Sequence, residues 1–338
     1  MAPPISADPR AAARVLAAGG LVAFPTETVY GLGAHAEDPV AVRRVFAAKG
    51  RPADHPLIVH GHDAEVLDRY GRDVPAWARA LASVLWPGPL TLVVPRGPAV
   101  PDAVTGGRPT VGLRVPDHDA ARQMLATLGA GVAAPSANPF GATSPTRAAH
   151  VAADLGDAVD LILDGGPSRV GVESTILDAS GSTPVVLRTG GVPRERLEEI
   201  LGAPVADHPG GEVRAPGMLP AHYAPRAAVQ LADDPGAARA RAAALAAQGH
   251  RVAVLAAGPV AGLPDGVAAL HPPAVTPEAY ARALYDLLRD ADARGVAHVV
   301  AVPPPPAGLG WAVRDRLERA AAAARAASPA AAETHGRI

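Results

Sequence analysis

The stretch DPRAAARVLAAGGLVAF, residues 8–24, decides the fold class. Asp8 is a helix-capping residue, the following residues carry a helix through about Ala18, and Gly19-Gly20 stops it. Leu21–Phe24 then reads as a short buried strand. The same grammar returns at Asp38-Pro39, where Asp suits the cap and Pro the first helical position of a helix ending near Lys49-Gly50. Working outward, short apolar runs predict strands at Leu57–His60, Leu90–Val94, Val111–Val115, Val132–Ala134, Leu161–Leu163, Ser174–Leu177 and Val185–Leu187. Helical patterns fall near 75–85, 118–128, 146–154 and 193–200. So many strands among helices predict an α/β fold with one large mixed sheet.

Residues 1–204 form the expected first domain. Residues 205–226, rich in Pro and Gly and without periodicity, read as a linker. Residues 227–328 then repeat a strand-helix alternation on a smaller scale: strands 228–231, 252–256 and 297–302, helices 236–248, 277–293 and 309–326. That order suits right-handed crossovers in a small Rossmann-like α/β C-terminal domain. The Ala-rich residues 329–338 are expected to form a disordered tail.

Composition narrows the function. The chain has 338 residues, 49% hydrophobic and 19% charged, with a net charge of −2, so it folds and carries no gross basic excess. It contains no cysteine, which removes disulfides, thiolate zinc sites and cysteine nucleophiles together. The N-terminus lacks the layout of a signal peptide, and the longest apolar run, near Val252–Leu263, is too short and broken to span a bilayer. A cytoplasmic protein with no membrane association is expected. Lys49 is the only lysine and Asn138 the only asparagine. In a chain whose composition favours Arg, Ala and Gly, each either survives by chance or sits where no substitute serves.

Nucleotide binding has sharp signatures, and the usual ones are missing: no GxxxxGK[ST] loop exists, and Gly31-Leu-Gly33 lacks a third glycine. Lys49-Gly-Arg51-Pro-Ala-Asp-His55 instead places two cations and a histidine on one loop, which suits polyphosphate. The alternative is that Lys49 merely favours a helix C-terminus. The loop Ala134-Pro-Ser136-Ala-Asn138 through Ser144 offers backbone N–H groups and hydroxyls to a ligand, or simply forms turns. Thr28 and Tyr30 follow the first strand, where α/β proteins place ligands, though Tyr30 equally suits a core. Arg114 lies inside an apolar strand, and a buried guanidinium needs an anionic partner, from protein or ligand. Arg188, at a strand end, has the same need unless solvent reaches it. His55, His60 and His62 resemble a metal cluster only loosely, so no protein-held metal is expected.

Taken together, PTETVYGLGA (25–34), KGRPADHPLIVH (49–60), TVGLRVPDH (110–118), APSANPFGATSPT (134–146), ESTILD (173–178) and VLRTGGV (186–192) resemble the YrdC-like family. APGMLPAHYAP (215–225), followed by a further α/β unit, is similar to its long two-domain form, which implies a twisted open mixed sheet with a concave active face and a smaller Rossmann-like domain. The resemblance implies a nucleotidyltransferase that makes L-threonylcarbamoyladenylate from L-threonine, bicarbonate or CO2, and ATP, releasing pyrophosphate, as the first step of threonylcarbamoylation of tRNA beside the anticodon. It assigns Thr28, His60, Arg114, the backbone at Ala134, and Ser174 to L-threonine. Arg51, His55, Thr110, Ser136, Ser144, Arg188 and Tyr223 go to ATP. Lys49, with Arg51, would stabilise the polyphosphate, Mg2+ would arrive on the phosphates, and Asn138 would organise its loop. His55 stands where many relatives have asparagine, and Ala215 and Ala221 replace a serine and a basic residue of the linker. A separate tRNA threonylcarbamoyl transferase would consume the product. The rival readings are an RNA-binding module that binds tRNA directly, disfavoured by charge and by 3% aromatics, and carbamoyl transfer in metalloenzyme maturation.

Overall fold

A computed structural model describes residues 3–208 and 223–327. Packing divides the chain into two compact units, Met1–Phe140 with Ser144–Met218, and Gly141–Thr143 with Leu219–Ile338.

The first unit runs β1 (Ile5–Ser6), α1 (Pro9–Ala17), β2 (Val22–Phe24), β3 (Gly31–His35), α2 (Pro39–Lys49), β4 (Ile58–His60), α3 (Val66–Tyr70), α4 (Ala76–Leu85) and β5 (Leu90–Pro95). It continues through α5 (Asp102–Thr105), β6 (Thr110–Arg114), α6 (Asp119–Leu128), β7 (Val132–Ala134), α7 (Ala148–Leu155) and β8 (Leu161–Leu163). β9 (Thr175–Asp178), β10 (Val185–Arg188), α8 (Arg194–Leu201) and β11 (Ala206–Asp207) complete it. The eleven strands form one mixed sheet in the order β1-β8-β2-β3-β7-β4-β6-β5-β9-β10-β11.

The caps act as the sequence predicts. The Asp8 carboxylate accepts the Arg10 N–H at 2.9 Å, and Asp38 accepts those of Val40 and Ala41 at 2.8 and 3.1 Å. Gly50 closes α2 in the left-handed conformation at φ 62°. Successive side chains of a strand point to opposite faces. Val22 and Phe24 accordingly join a core with Leu16 of α1 and Met124 of α6, while Ala23 joins a second core with Val42 and Phe46 of α2. The sheet is thus buried on both faces there, and its strand ends are what remain for a ligand.

β3 is a strand that the sequence reading did not assign. Its sequence, GLGAH, is weak strand material, yet it pairs antiparallel with both β2 and β7. The reason is close approach. A Cβ on Gly33 would lie 2.4 Å from Val132 Cγ1 and 2.9 Å from Phe24 Cε1, so only a residue without a side chain lets the Phe24 ring lie over β3. β11 also pairs, parallel to β10, at the start of the stretch read as linker. Residues 209–222, including Ala215 and Ala221, and the tail from 328 onward lie outside the described residues.

The second unit runs β12 (Ala228–Leu231), α9 (Pro235–Ala247), β13 (Val252–Leu255), β14 (Ala268–Leu270), α10 (Pro277–Ala293), β15 (His298–Ala301) and α11 (Gly310–Ala327). Its four strands are all parallel, in the order β12-β15-β13-β14. This is the Rossmann-like arrangement expected, with β14 as an extra strand. That strand is short and partly exposed, so it gives no apolar run to read.

Gly33→Ala should destabilise the protein by about 1–3 kcal/mol through overpacking. Gly181→Ala, whose Cβ meets nothing within 4 Å, should stay within about 0.5 kcal/mol. Chemical denaturation of the two variants measures both.

Candidate functional site

The loop between β2 and β3 builds one end of the site. The Thr26 hydroxyl donates to the Val29 carbonyl at 2.7 Å and accepts the Thr28 N–H at 3.2 Å, which folds the loop back on itself. With its single proton spent, Thr26 Oγ1 accepts from Thr28 Oγ1 at 2.8 Å, and Thr28 Oγ1 accepts from Arg114 Nη2 at 2.9 Å. Arg114, at the end of β6, also sits 2.8 Å from Glu27 Oε2, with both side chains at most 5% exposed. The buried guanidinium therefore has a protein carboxylate for its partner, one of the two outcomes its burial demanded. Glu27 Oε2 further accepts the Asp117 N–H at 3.1 Å, while Glu27 Oε1 is buried and meets no hydrogen-bond partner.

His60 lies level with Arg114 across the parallel β4–β6 pair. Its Nδ1 is 3.1 Å from the Ile58 carbonyl, so that nitrogen carries the proton, and Phe24 meets the ring edge-on at 5.6 Å. Burial, then the Arg114 charge, pushes its pKa down to about 3. His60 is neutral and available as a hydrogen-bonding group rather than a cation.

Ser174 precedes β9, and its Oγ lies 2.8 Å from Thr91 Oγ1. Arg188 Nη2 donates to the Ser174 carbonyl at 2.8 Å and to its Oγ at 3.1 Å. Arg188 is buried, so the solvent-exposed reading of this strand end is set aside. Ser144 donates to Glu173 Oε1 at 2.7 Å. A Cβ on Gly190 would lie 2.3 Å from the Glu173 carbonyl, so this glycine permits the backbone crossing that brings residues 173–174 to 190.

Lys49 ends α2, buried, and its ammonium donates to the Ser136 carbonyl at 2.6 Å and to the Asn138 carbonyl. Burial, with the neighbouring Arg51 charge, holds its pKa well below the usual lysine range. The two residue types that occur once in the chain thus touch each other. Asn138 Nδ2 donates to the Pro139 carbonyl at 3.0 Å, and Phe140 N–H to the Lys49 carbonyl at 2.9 Å. Arg51 lies over the Phe140 ring at 5.7 Å and donates to the Pro56 carbonyl at 3.1 Å. His55 packs on the same ring at 5.4 Å. Burial and the Arg51 charge lower the His55 pKa, so its titration falls on the acid side of neutrality.

The strand register orders these groups. Ile58 pairs with Gly112 and His60 with Arg114; continued backward, the register puts Pro56, the acceptor of Arg51, level with Thr110. One end of β4–β6 carries Arg51 and Thr110, the other His60 and Arg114, about 13 Å apart at the strand rise. Ala134 faces Ile58 between them, across β7–β4. Tyr223 is described within the second unit, its ring 6.2 Å from that of Tyr285 and 5.0 Å from the Arg316 guanidinium. Tyr30 is core, its hydroxyl donating to the Gly166 carbonyl at 2.7 Å. His62 pairs with Asp63 at 2.8 Å, and among the described residues no three His, Asp or Glu side chains converge on a metal position.

Sequence reasoning gave no role to Glu27, Glu173, Thr91 or Phe140. Glu27 carried one usable signal, a lone carboxylate between two threonines directly after a buried strand. The pairing of Thr91 with Ser174 spans 83 residues and left no local mark.

The open mixed α/β sheet thus carries a carboxylate-paired arginine toward one end of the β4–β6 pair and a Lys-Arg-His loop toward the other. The family model described as Telomere recombination, Sua5_yciO_yrdC, matches residues 14–190, and that of Threonylcarbamoyl-AMP synthase, C-terminal domain, matches residues 192–322. The chain is 43% identical to a threonylcarbamoyl-AMP synthase of Pyrococcus abyssi, over 92% of this chain and 93% of the relative. It is 41% identical to one of Bacillus subtilis, over 92% of each. The crystal structure of P. abyssi Sua5 complexed with L-threonine superposes with a TM-score of 0.87 at 41% identity, covering 94% of each chain. The chain belongs to the two-domain Sua5 branch of the threonylcarbamoyl-AMP synthase family.

The His60 shift predicts an acid limb in stability. The unfolded histidine takes a proton near pH 6.5 and the folded one only near 3, so the unfolded state binds more protons between those values. This contribution is complete above pH 6.5 and is lost as pH falls toward 3. In His60→Gln the decline of denaturation free energy between pH 6.5 and 4 should be clearly shallower.

Proposed function

We propose that the protein is an L-threonylcarbamoyladenylate synthase, a nucleotidyltransferase using L-threonine, bicarbonate or CO2, and ATP. The observation that carries this reading is the two-ended site, with Arg114, Thr28, His60 and Ser174 set apart from Lys49, Arg51, His55 and Thr110, in a chain similar over nearly its whole length to enzymes of that name. The threonine nitrogen captures CO2 as a carbamate. A carbamate oxygen then attacks the α-phosphorus of ATP, and pyrophosphate leaves. No covalent nucleophile is needed, which fits a chain without cysteine. Positioning and charge stabilisation supply the catalysis.

In this reading Arg114 takes the amino-acid carboxylate, Thr28, His60, Ser174 and the Ala134 backbone its remaining polar groups. Arg51, His55, Thr110, Ser136, Ser144 and Arg188 take ATP. Lys49 has two roles, bracing the Ser136 and Asn138 carbonyls and presenting its remaining N–H toward phosphate. Asn138, held by Lys49 through its carbonyl, organises the loop. Mg2+ in nucleotide sites is held by one or two carboxylates and the phosphates. Glu173, bonded to Ser144 beside the candidate nucleotide groups, is the carboxylate that fits it, and the ion would neutralise the leaving pyrophosphate. The product would serve a tRNA threonylcarbamoyl transferase in the cytoplasm. The comparisons do not favour an RNA-binding module, and no helix among the described residues is long and apolar enough to cross a membrane.

Purified protein should release pyrophosphate from ATP only when L-threonine and bicarbonate are both present. Equal release without threonine contradicts the synthase reading. Lys49→Ala should lower turnover at least tenfold while the protein stays folded by circular dichroism; unchanged turnover confines Lys49 to a packing role.

A further inference from the structure

The ion pair of Arg114 and Glu27 leaves one feature that the assignments above do not use. Glu27 is 2% exposed, and its two oxygens differ. Oε2 is fully engaged, 2.8 Å from Arg114 Nη2 and accepting the Asp117 N–H at 3.1 Å. Oε1 is buried and accepts nothing. An ionised carboxylate has capacity for about four hydrogen bonds, and a buried oxygen left without a donor is costly. A donor reaching Oε1 is attached to a molecule lying beside the Arg114 guanidinium, because both oxygens share one carbon. The backbone around it is fixed: the Glu27 carbonyl accepts the Val170 N–H at 2.7 Å and the Thr28 carbonyl the Gly171 N–H at 3.2 Å. The missing donor is therefore not supplied by a small loop shift.

A ligand that satisfies both partners carries a negative group for Arg114 and, a few ångströms away, a positive hydrogen-bond donor for Glu27. A zwitterionic α-amino acid has this pattern, with carboxylate and ammonium on one carbon. We propose that Glu27 is a substrate-binding residue, its Oε1 receiving the α-ammonium of the amino acid whose carboxylate lies on Arg114. The inference rests on the reading of Arg114 as the amino-acid carboxylate site. It gives the neutral pair a function beyond burial. A lone arginine would attract any carboxylate, whereas arginine paired with an under-bonded carboxylate rewards one that also brings an ammonium.

The test is calorimetric titration of the full-length protein with L-threonine and with (R)-3-hydroxybutanoate, which keeps the carboxylate and hydroxyl and lacks the amine. The wild type should prefer L-threonine at least tenfold. Glu27→Gln, with its melting temperature recorded, should weaken L-threonine at least tenfold, leave (R)-3-hydroxybutanoate within threefold and leave ATP affinity within twofold. Equal weakening of both acids would overturn the proposal, since Glu27 would then act only by positioning Arg114; so would no change in either. If the variant does not fold, the wild type decides alone, and equal affinity for the two acids overturns the proposal. A tenfold preference in a protein that releases no threonine-dependent pyrophosphate would uphold this inference while removing the synthase reading.

Discussion

The buried Arg114–Glu27 ion pair is the constraint on which the site depends. Taking two charges out of water costs several kcal/mol per ion, and the cost is recovered only when geometry is good and the remaining polar atoms are bonded. Here the surroundings hold the pair in place, and Glu27 Oε1 is the atom left without a donor. Arg114 stands on β6 near the centre of the sheet, and Glu27 hangs from a loop that Thr26 folds and residues 170–171 clamp. The hydroxyl chain from Arg114 through Thr28 to Thr26 and the Val29 carbonyl has one proton per link and one direction. His60, level with Arg114 on β4, stays neutral because it is buried and because a second positive charge beside the guanidinium is unfavourable.

The other end of the site is governed by a second buried cation with different partners. Lys49 meets carbonyls rather than a carboxylate, so its charge is oriented but not neutralised. Burial, and then the Arg51 charge beside them, lowers the Lys49 and His55 pKa values. The contrast is chemical economy. Under the proposed reading the charge-balanced Arg114 end suits a zwitterion and the cationic Lys49 loop suits ATP.

Much of this was legible in the sequence, for local reasons. Asp8, Asp38 and Gly50 announced helix ends because caps act within a few residues of themselves. Arg114 announced a partner because an apolar strand around an arginine has one physical meaning, and Lys49 stood out through composition. What was not legible depended on tertiary proximity. β3 is a strand because Val132 and Phe24 crowd Gly33, not because GLGAH favours extended structure. Glu27 meets Arg114 across 87 residues of sequence, and Thr91 meets Ser174 across the β5–β9 pair. The assignment of residues to ligands came from resemblance, and the structure adds the order in which they lie along β4 and β6.

In the proposed reaction the two ends cooperate to join carbon dioxide, threonine and adenylate in one molecule. Incubation with ATP, L-threonine and 13C-bicarbonate, followed by mass spectrometry of the nucleotide pool, tests it most directly. An adenylate carrying threonine and a single 13C is the expected product. An adenylate of threonine without the label, or unlabelled AMP alone, would contradict it.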